Sequence, residues 1–176
     1  MIKKLAIMKC LIFLCVLAAG ISFAQTREDI HQHRECKYCG MDRGSFDFTR
    51  MLIGYDDGTT AAVCSIHCAA VDLAGNIDKT PKEIRVGDFN SKQLIDAEKA
   101  FWVIGGKKPG VMSKQGKWAF ERKHDAEGFI KTNGGKLSSF EEAMKTAYED
   151  MYADTRMIRD KRKMKRMQHK SNEHNY

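Results

Sequence analysis

The chain has 176 residues, with 30 Lys/Arg against 23 Asp/Glu and a formal charge of +7, enough for one ordinary domain or two very small ones. The charge is uneven. Residues 156–176 carry eight Lys/Arg against Asp160 and Glu173, and residues 1–24 add Lys3, Lys4 and Lys9, which leaves the body slightly acidic. A nucleic-acid-binding domain would carry its basic patch on the folded body, so that class is set aside.

Lys3, Lys4 and Lys9 precede an apolar run from Cys10 to Phe23, and Ser22-Phe23-Ala24 supplies the small residues of a cleavage site. Residues 1–24 are therefore predicted to be a cleavable signal peptide, and the mature protein is expected to be periplasmic. Cys10 follows Lys9 and Cys15 follows Leu14, so no lipid-acceptor cysteine is evident. Residues 25–35, which include His31 and His33, read as a linker.

A first unit is expected over 36–90. Thr49 to Tyr55 alternates, with Met51, Ile53 and Tyr55 on one face, and Asp56-Asp57-Gly58 is a hairpin turn signal. Thr59 to Cys64 is the returning strand. Ser65 is an N-cap candidate for a helix closed by Gly75-Asn76, and Ile84-Arg85-Val86 is a short further strand.

The order recurs over 91–138: a strand from Ala100 to Ile104, another from Lys117 to Glu121, a helix from Asp125 to Thr132, and a short strand at Leu137. Two small ββαβ units in an α+β fold account for the chain. Ser138-x-x-Glu141 has the form of a capping box opening a helix over 139–160, with Phe140, Ala143, Met144, Ala147, Tyr148 and Met151 as its buried stripe. Residues 161–176 are a basic tail, expected as a solvated helix end or disorder. Met164, Met167, His169 and His174 in that tail read as solvated residues.

Four cysteines remain beyond residue 24: Cys36-x-x-Cys39-Gly40 and Cys64-x-x-x-Cys68. A knuckle followed by a hairpin and a helix start is the layout of a treble-clef metal site. Gly40 permits the tight turn, and the helix N-terminus is expected to lower the pKa of Cys64 and Cys68. Four thiolates suit Zn(II), the same soft donors suit Cu(I), and two local disulfides are the remaining alternative. Met41, beside the knuckle, and Met112, in Lys108-Pro109-Gly110-Val111-Met112-Ser113, offer thioethers, which favour Cu(I). His67 is expected to be an exposed first-turn residue. Neither a hydrolytic triad, a phosphate loop nor a dinucleotide fingerprint is present, and no enzymatic role is expected.

Cys36-Lys37-Tyr38-Cys39-Gly40-Met41, the Asp57-Gly58 turn, Cys64-Ser65-Ile66-His67-Cys68 and Ile95-Asp96-Ala97-Glu98-Lys99-Ala100 resemble the NosL family. So do Pro109-Gly110-Val111-Met112, Trp118-Ala119-Phe120-Glu121, Asp125-Ala126 and Gly134-Gly135-Lys136-Leu137. The resemblance implies a periplasmic Cu(I)-binding accessory protein with a fold similar to the organomercurial lyase MerB. It implies delivery of copper to nitrous oxide reductase as the client enzyme, with a membrane ABC transporter complex as a further partner. By the same resemblance Cys39, Met41 and Met112 are copper ligands, joined by Cys36. Cys64 and Cys68 are absent from many family members and mark either a structural zinc site or a wider thiolate site. A zinc module that mediates protein interactions and a thiol enzyme, either a dithiol oxidoreductase or a carbon–mercury lyase, are the competing readings.

Overall fold

The structure, a computed structural model, describes residues 27–173; the expected signal peptide and His174 lie outside them. The expected linker contains a short helix, α1 (Glu28–Gln32). Its Asp29 lies between two buried guanidiniums, accepting from Arg43 Nη2 at 2.7 Å and Arg50 Nε at 2.9 Å. Two cations with no access to water require such a partner, and this explains why the segment is ordered against the body.

The first unit begins with β1 (Met51–Tyr55) and β2 (Thr60–Val63), an antiparallel hairpin in register Met51↔Val63. Met51, Ile53 and Tyr55 are all buried, as the alternation predicts. At the turn the Asp57 carboxylate accepts from the Thr59 backbone N–H at 2.8 Å, an Asx turn. Helix α2 (Ile66–Gly75) follows, and its Ile66, Cys68, Ala69 and Ala70 are buried. Strand β3 (Pro81–Gly87) pairs with the other edge of β1, and β4 (Leu94–Asp96) adds to β3, giving the order β2-β1-β3-β4. Gly87 is required where it stands, because a Cβ there would lie 2.1 Å from the Asp47 carbonyl oxygen.

The second unit repeats the pattern. Strands β5 (Phe101–Ile104) and β6 (Lys117–Phe120), helix α3 (Lys123–Asn133) and strand β7 (Lys136–Ser138) form an antiparallel sheet in the order β6-β5-β7. The central strand is the first of its unit in both halves, so the tandem ββαβ reading holds and β4 is the addition. The second core is aromatic: Phe89 and Phe129 centroids lie 5.0 Å apart, and Phe120 and Phe129 5.3 Å.

The final helix, α4 (Phe140–Glu173), has 34 residues and includes most of the segment expected as a tail. Its capping box lies one residue later than expected. The Ser139 hydroxyl accepts the Glu142 N–H at 3.2 Å and the Glu142 carboxylate accepts the Ser139 N–H at 3.1 Å. Ser138 instead pairs with Trp102 at the end of β7. Phe140, Ala143, Met144 and Ala147 are buried against α2 and β5, whereas Tyr148, expected in the same stripe, sits at its edge and is exposed; residues 159–170 are exposed throughout. No helix of the described residues is long and apolar enough to cross a membrane.

Candidate metal centre

The knuckle is built by backbone hydrogen bonds. The Cys36 N–H donates to the Met41 carbonyl at 2.9 Å, the Gly40 N–H returns to the Cys36 carbonyl at 3.0 Å, and Gly40 has φ +71°. The left-handed φ is cheap only for glycine. The loop is docked on the first sheet by the Lys37 N–H, which donates to the Ala62 carbonyl at 3.0 Å. It is tied to α2 by Asp72, a fully buried carboxylate that receives Lys37 Nζ at 2.9 Å and the hydroxyls of Tyr38 and Tyr55. Burial opposes ionisation of Asp72, yet these three donors hold its pKa below the ordinary value. This clamp fixes the knuckle against the helix that carries Cys68.

Cys64 ends the hairpin and Cys68 lies in the first turn of α2. Thr49 Oγ1 donates to the Cys64 carbonyl at 2.9 Å and fixes that corner. The four Sγ atoms of Cys36, Cys39, Cys64 and Cys68 lie within 4.8 Å of one another. Cys39 and Cys64 are 3.5 Å apart and Cys64 and Cys68 3.8 Å. A tetrahedral ion with metal–sulfur bonds of about 2.3 Å needs sulfur–sulfur edges of about 3.8 Å. A disulfide needs about 2.05 Å, and all four cysteines are free. The thiols converge on one point, which is the geometry of a metal centre.

The protonation pattern differs from the expectation of a helix-lowered pair. Cys36 is held far below the ordinary thiol pKa because Cys39, then Cys64 and Cys68, donate hydrogen bonds to its thiolate. At Cys39 the Cys36 thiolate opposes ionisation, but Cys64 and Cys68 outweigh it and the pKa falls to about 7. Cys64 and Cys68 are pushed far up, first by Cys36 and then by Cys39. Hydrogen bonding within the cluster thus leaves the protons on Cys64 and Cys68. Without a cation the cluster retains protons, so a metal entering it displaces them.

The remaining candidates lie around this centre. Met41 is half-buried, its carbonyl closes the knuckle, and its side chain packs on the core that contains the cysteines. Met112 packs on the same core and has φ +60°, a left-handed backbone that costs a side-chain-bearing residue roughly 1–2 kcal/mol. His31 and His33 are not part of the four-sulfur cluster. His67 is buried, not exposed, because α4 covers the first turn of α2. Its Nδ1 lies 3.7 Å from Asp154 Oδ2, and neither atom has a hydrogen-bond partner among the described residues. Burial lowers the His67 pKa and favours the neutral ring.

Sequence reasoning missed three contributors: Asp72, the Asp29–Arg43–Arg50 group, and Arg162, whose guanidinium donates to the Cys39 carbonyl at 3.3 Å. Asp72 had a faint signature as the lone charge on an apolar helix face. Arg162 had none, since 123 residues separate it from its partner.

Fold and site together define a tandem ββαβ protein with a four-thiol metal centre. The chain belongs to the NosL family, whose model matches residues 27–148. It is also similar to the crystal structure of the copper chaperone NosL from Shewanella denitrificans, at 28% identity and a TM-score of 0.51, over 62% of this chain and 89% of that one. A comparison with curated proteins gives no match.

Proposed function

We propose that this protein is a Cu(I) metallochaperone, exported to the periplasm, that supplies copper for the maturation of a copper enzyme, with nitrous oxide reductase as the client. The carrying observation is the convergence of four sulfur atoms in a chain of the NosL family; the solved relative described as a copper chaperone supports the same reading. Cys36, Cys39, Cys64 and Cys68 are the proposed donors, and Met41 and Met112 the neighbouring thioethers. Cu(I) is satisfied by two or three soft donors. A pocket with more sulfurs than the ion needs lets one thiolate be replaced at a time, so the ion passes to an acceptor without being released to water. The protein itself would carry, not convert, and a membrane ABC transporter complex is the proposed companion in delivery.

Native mass spectrometry of anaerobically purified chain, followed by competition with a soft-ligand Cu(I) chelator, tests the reading. One Cu(I) per chain is expected, lost on Cys36→Ser or Cys39→Ser and weakened by Met41→Ala or Met112→Ala. The second reading, structural Zn(II), is favoured by the near-tetrahedral sulfur spacing. Zinc that resists replacement by Cu(I) would establish it and end the chaperone proposal.

A further inference from the structure

The family match stops at residue 148, but α4 continues to Glu173. The part beyond the match does not leave the metal centre. Met151 packs on the core that holds the cysteines, and Arg162 reaches the Cys39 carbonyl. Between them, half-buried Met157 stands in the wall of two adjoining clefts. One, of about 310 Å³, is shared with Met112 and Pro109. The other, of about 440 Å³, is shared with Tyr152 and Met164. Met157 and Met164 are seven residues apart, on one face of the helix and about 10 Å apart along it. Met167 follows at the i+3 position from Met164, and both are more than half exposed.

The inner cleft is held in shape from both sides. Asp154 accepts the Lys114 N–H at 2.9 Å, and Lys117 Nζ reaches Asp150 at 2.8 Å, so the Met112 loop is fastened to α4. Met112 itself is held in the left-handed conformation, a strain that packing elsewhere must sustain.

We propose that the inner cleft is a transit site for Cu(I), with Met112 and Met157 as its inner thioether donors and Met164 with Met167 as the outer step. This inference rests on the chaperone reading and deepens it by giving the ion a route. Thioethers are neutral, soft donors that ignore hard cations. Two of them hold Cu(I) less firmly than the thiolate cluster, which suits passage over storage. Lys114, Lys161 and Arg162 at the same cleft, with Arg156 beside Asp160 at the outer one, disfavour a free hydrated cation and suit copper arriving on an anionic thiolate carrier. The copper stays Cu(I) throughout, and no electron moves.

Leucine matches methionine in volume and lacks the sulfur, so Met157→Leu and Met164→Leu separate ligation from packing. In the full chain loaded with one Cu(I), equilibrium affinity should stay within twofold of the parent. Transfer to a bidentate colorimetric chelator in stopped flow should slow by roughly tenfold in the double variant. Unchanged transfer at unchanged affinity overturns the transit site and leaves the chaperone reading intact. Failure of the parent chain to hold Cu(I) removes the chaperone reading instead. A second measurement does not depend on copper: in the full chain a first equivalent of Ag(I) fills the thiolate cluster, and a second should shift the methyl resonances of Met112, Met157 and Met164. Unmoved resonances would also overturn the proposal.

Discussion

Beside the larger Met51, Ile53 and Val63, the first unit buries Ala61, Ala69 and Ala70 around Cys36, Cys64 and Cys68, whereas around α3 the second buries Val103, Trp118, Phe120 and Phe129. The strand order is the same in the two halves, but the side chains filling them differ. Small residues let the knuckle, the hairpin and the helix approach closely enough for four sulfurs to meet. They also remove little apolar surface from water, whereas each buried aromatic contributes on the order of 1.5–3 kcal/mol. The corner of the first unit where the sulfurs meet is therefore shaped for binding, while its larger side chains share a core with Trp102 and Ala119 of the second unit, whose own core is aromatic.

The comparison is broken most severely at the cysteines. Metal binding to a structural thiolate centre is worth on the order of 10 kcal/mol. A Cys64→Ala, Cys68→Ala chain should lose its metal and the hydrogen-exchange protection of β1 to β3, while β5 to β7 stay protected. Equal loss in both units would show that their stabilities are not separable.

The reverse test is Phe129→Ala, expected to cost about 3–5 kcal/mol with metal stoichiometry unchanged. Denaturant unfolding and metal analysis of the same sample check it, and a metal-free variant would contradict the division.

Asp29→Asn should destabilise by about 3 kcal/mol at neutral pH, since it removes the carboxylate charge that faces the buried Arg43 and Arg50 guanidiniums. Burial opposes ionisation of Asp29, but Arg50 and Arg43 hold its folded pKa below the ordinary value. A lowered folded value means that this contribution is complete above about pH 4 and is lost as pH falls through the folded pKa. Thermal melts from pH 6 down to pH 3 should therefore fall more steeply for the parent than for Asp29→Asn. Parallel curves would remove Asp29 from the account.

The smallest effect is expected at Ser139→Ala, about 1 kcal/mol from the lost cap, whereas Ser138→Ala should be nearly neutral. Paired melting temperatures decide between the two boxes.

Much of this was legible in sequence where one local rule acts alone. Alternation placed Met51, Ile53 and Tyr55 on a common face, and cysteine spacing located the centre. Legibility failed where a distant element decides. Ser138-Ser139-Phe140-Glu141-Glu142 contains two overlapping capping boxes, and only the pairing of Ser138 with Trp102 selects the second. Strand β4 spans three residues, too few for a period to show. His67 sits in a first helical turn that would face water if α4 did not cross it. The thiol acidities ran against the helix-dipole argument because hydrogen bonding among the four thiols, led by Cys36, outweighs a helix end.

The long helix also has a mechanical meaning. At about 1.5 Å per residue, its 34 residues form a rod of roughly 51 Å. One end is clamped to the second unit through Phe140, the middle rests on α2, and residues 159–170 are exposed. Within that exposed stretch Arg162 ties the rod to the Cys39 carbonyl. A displacement of the helix end lies about three helical turns from that contact, so the rod and the backbone of the knuckle are mechanically linked.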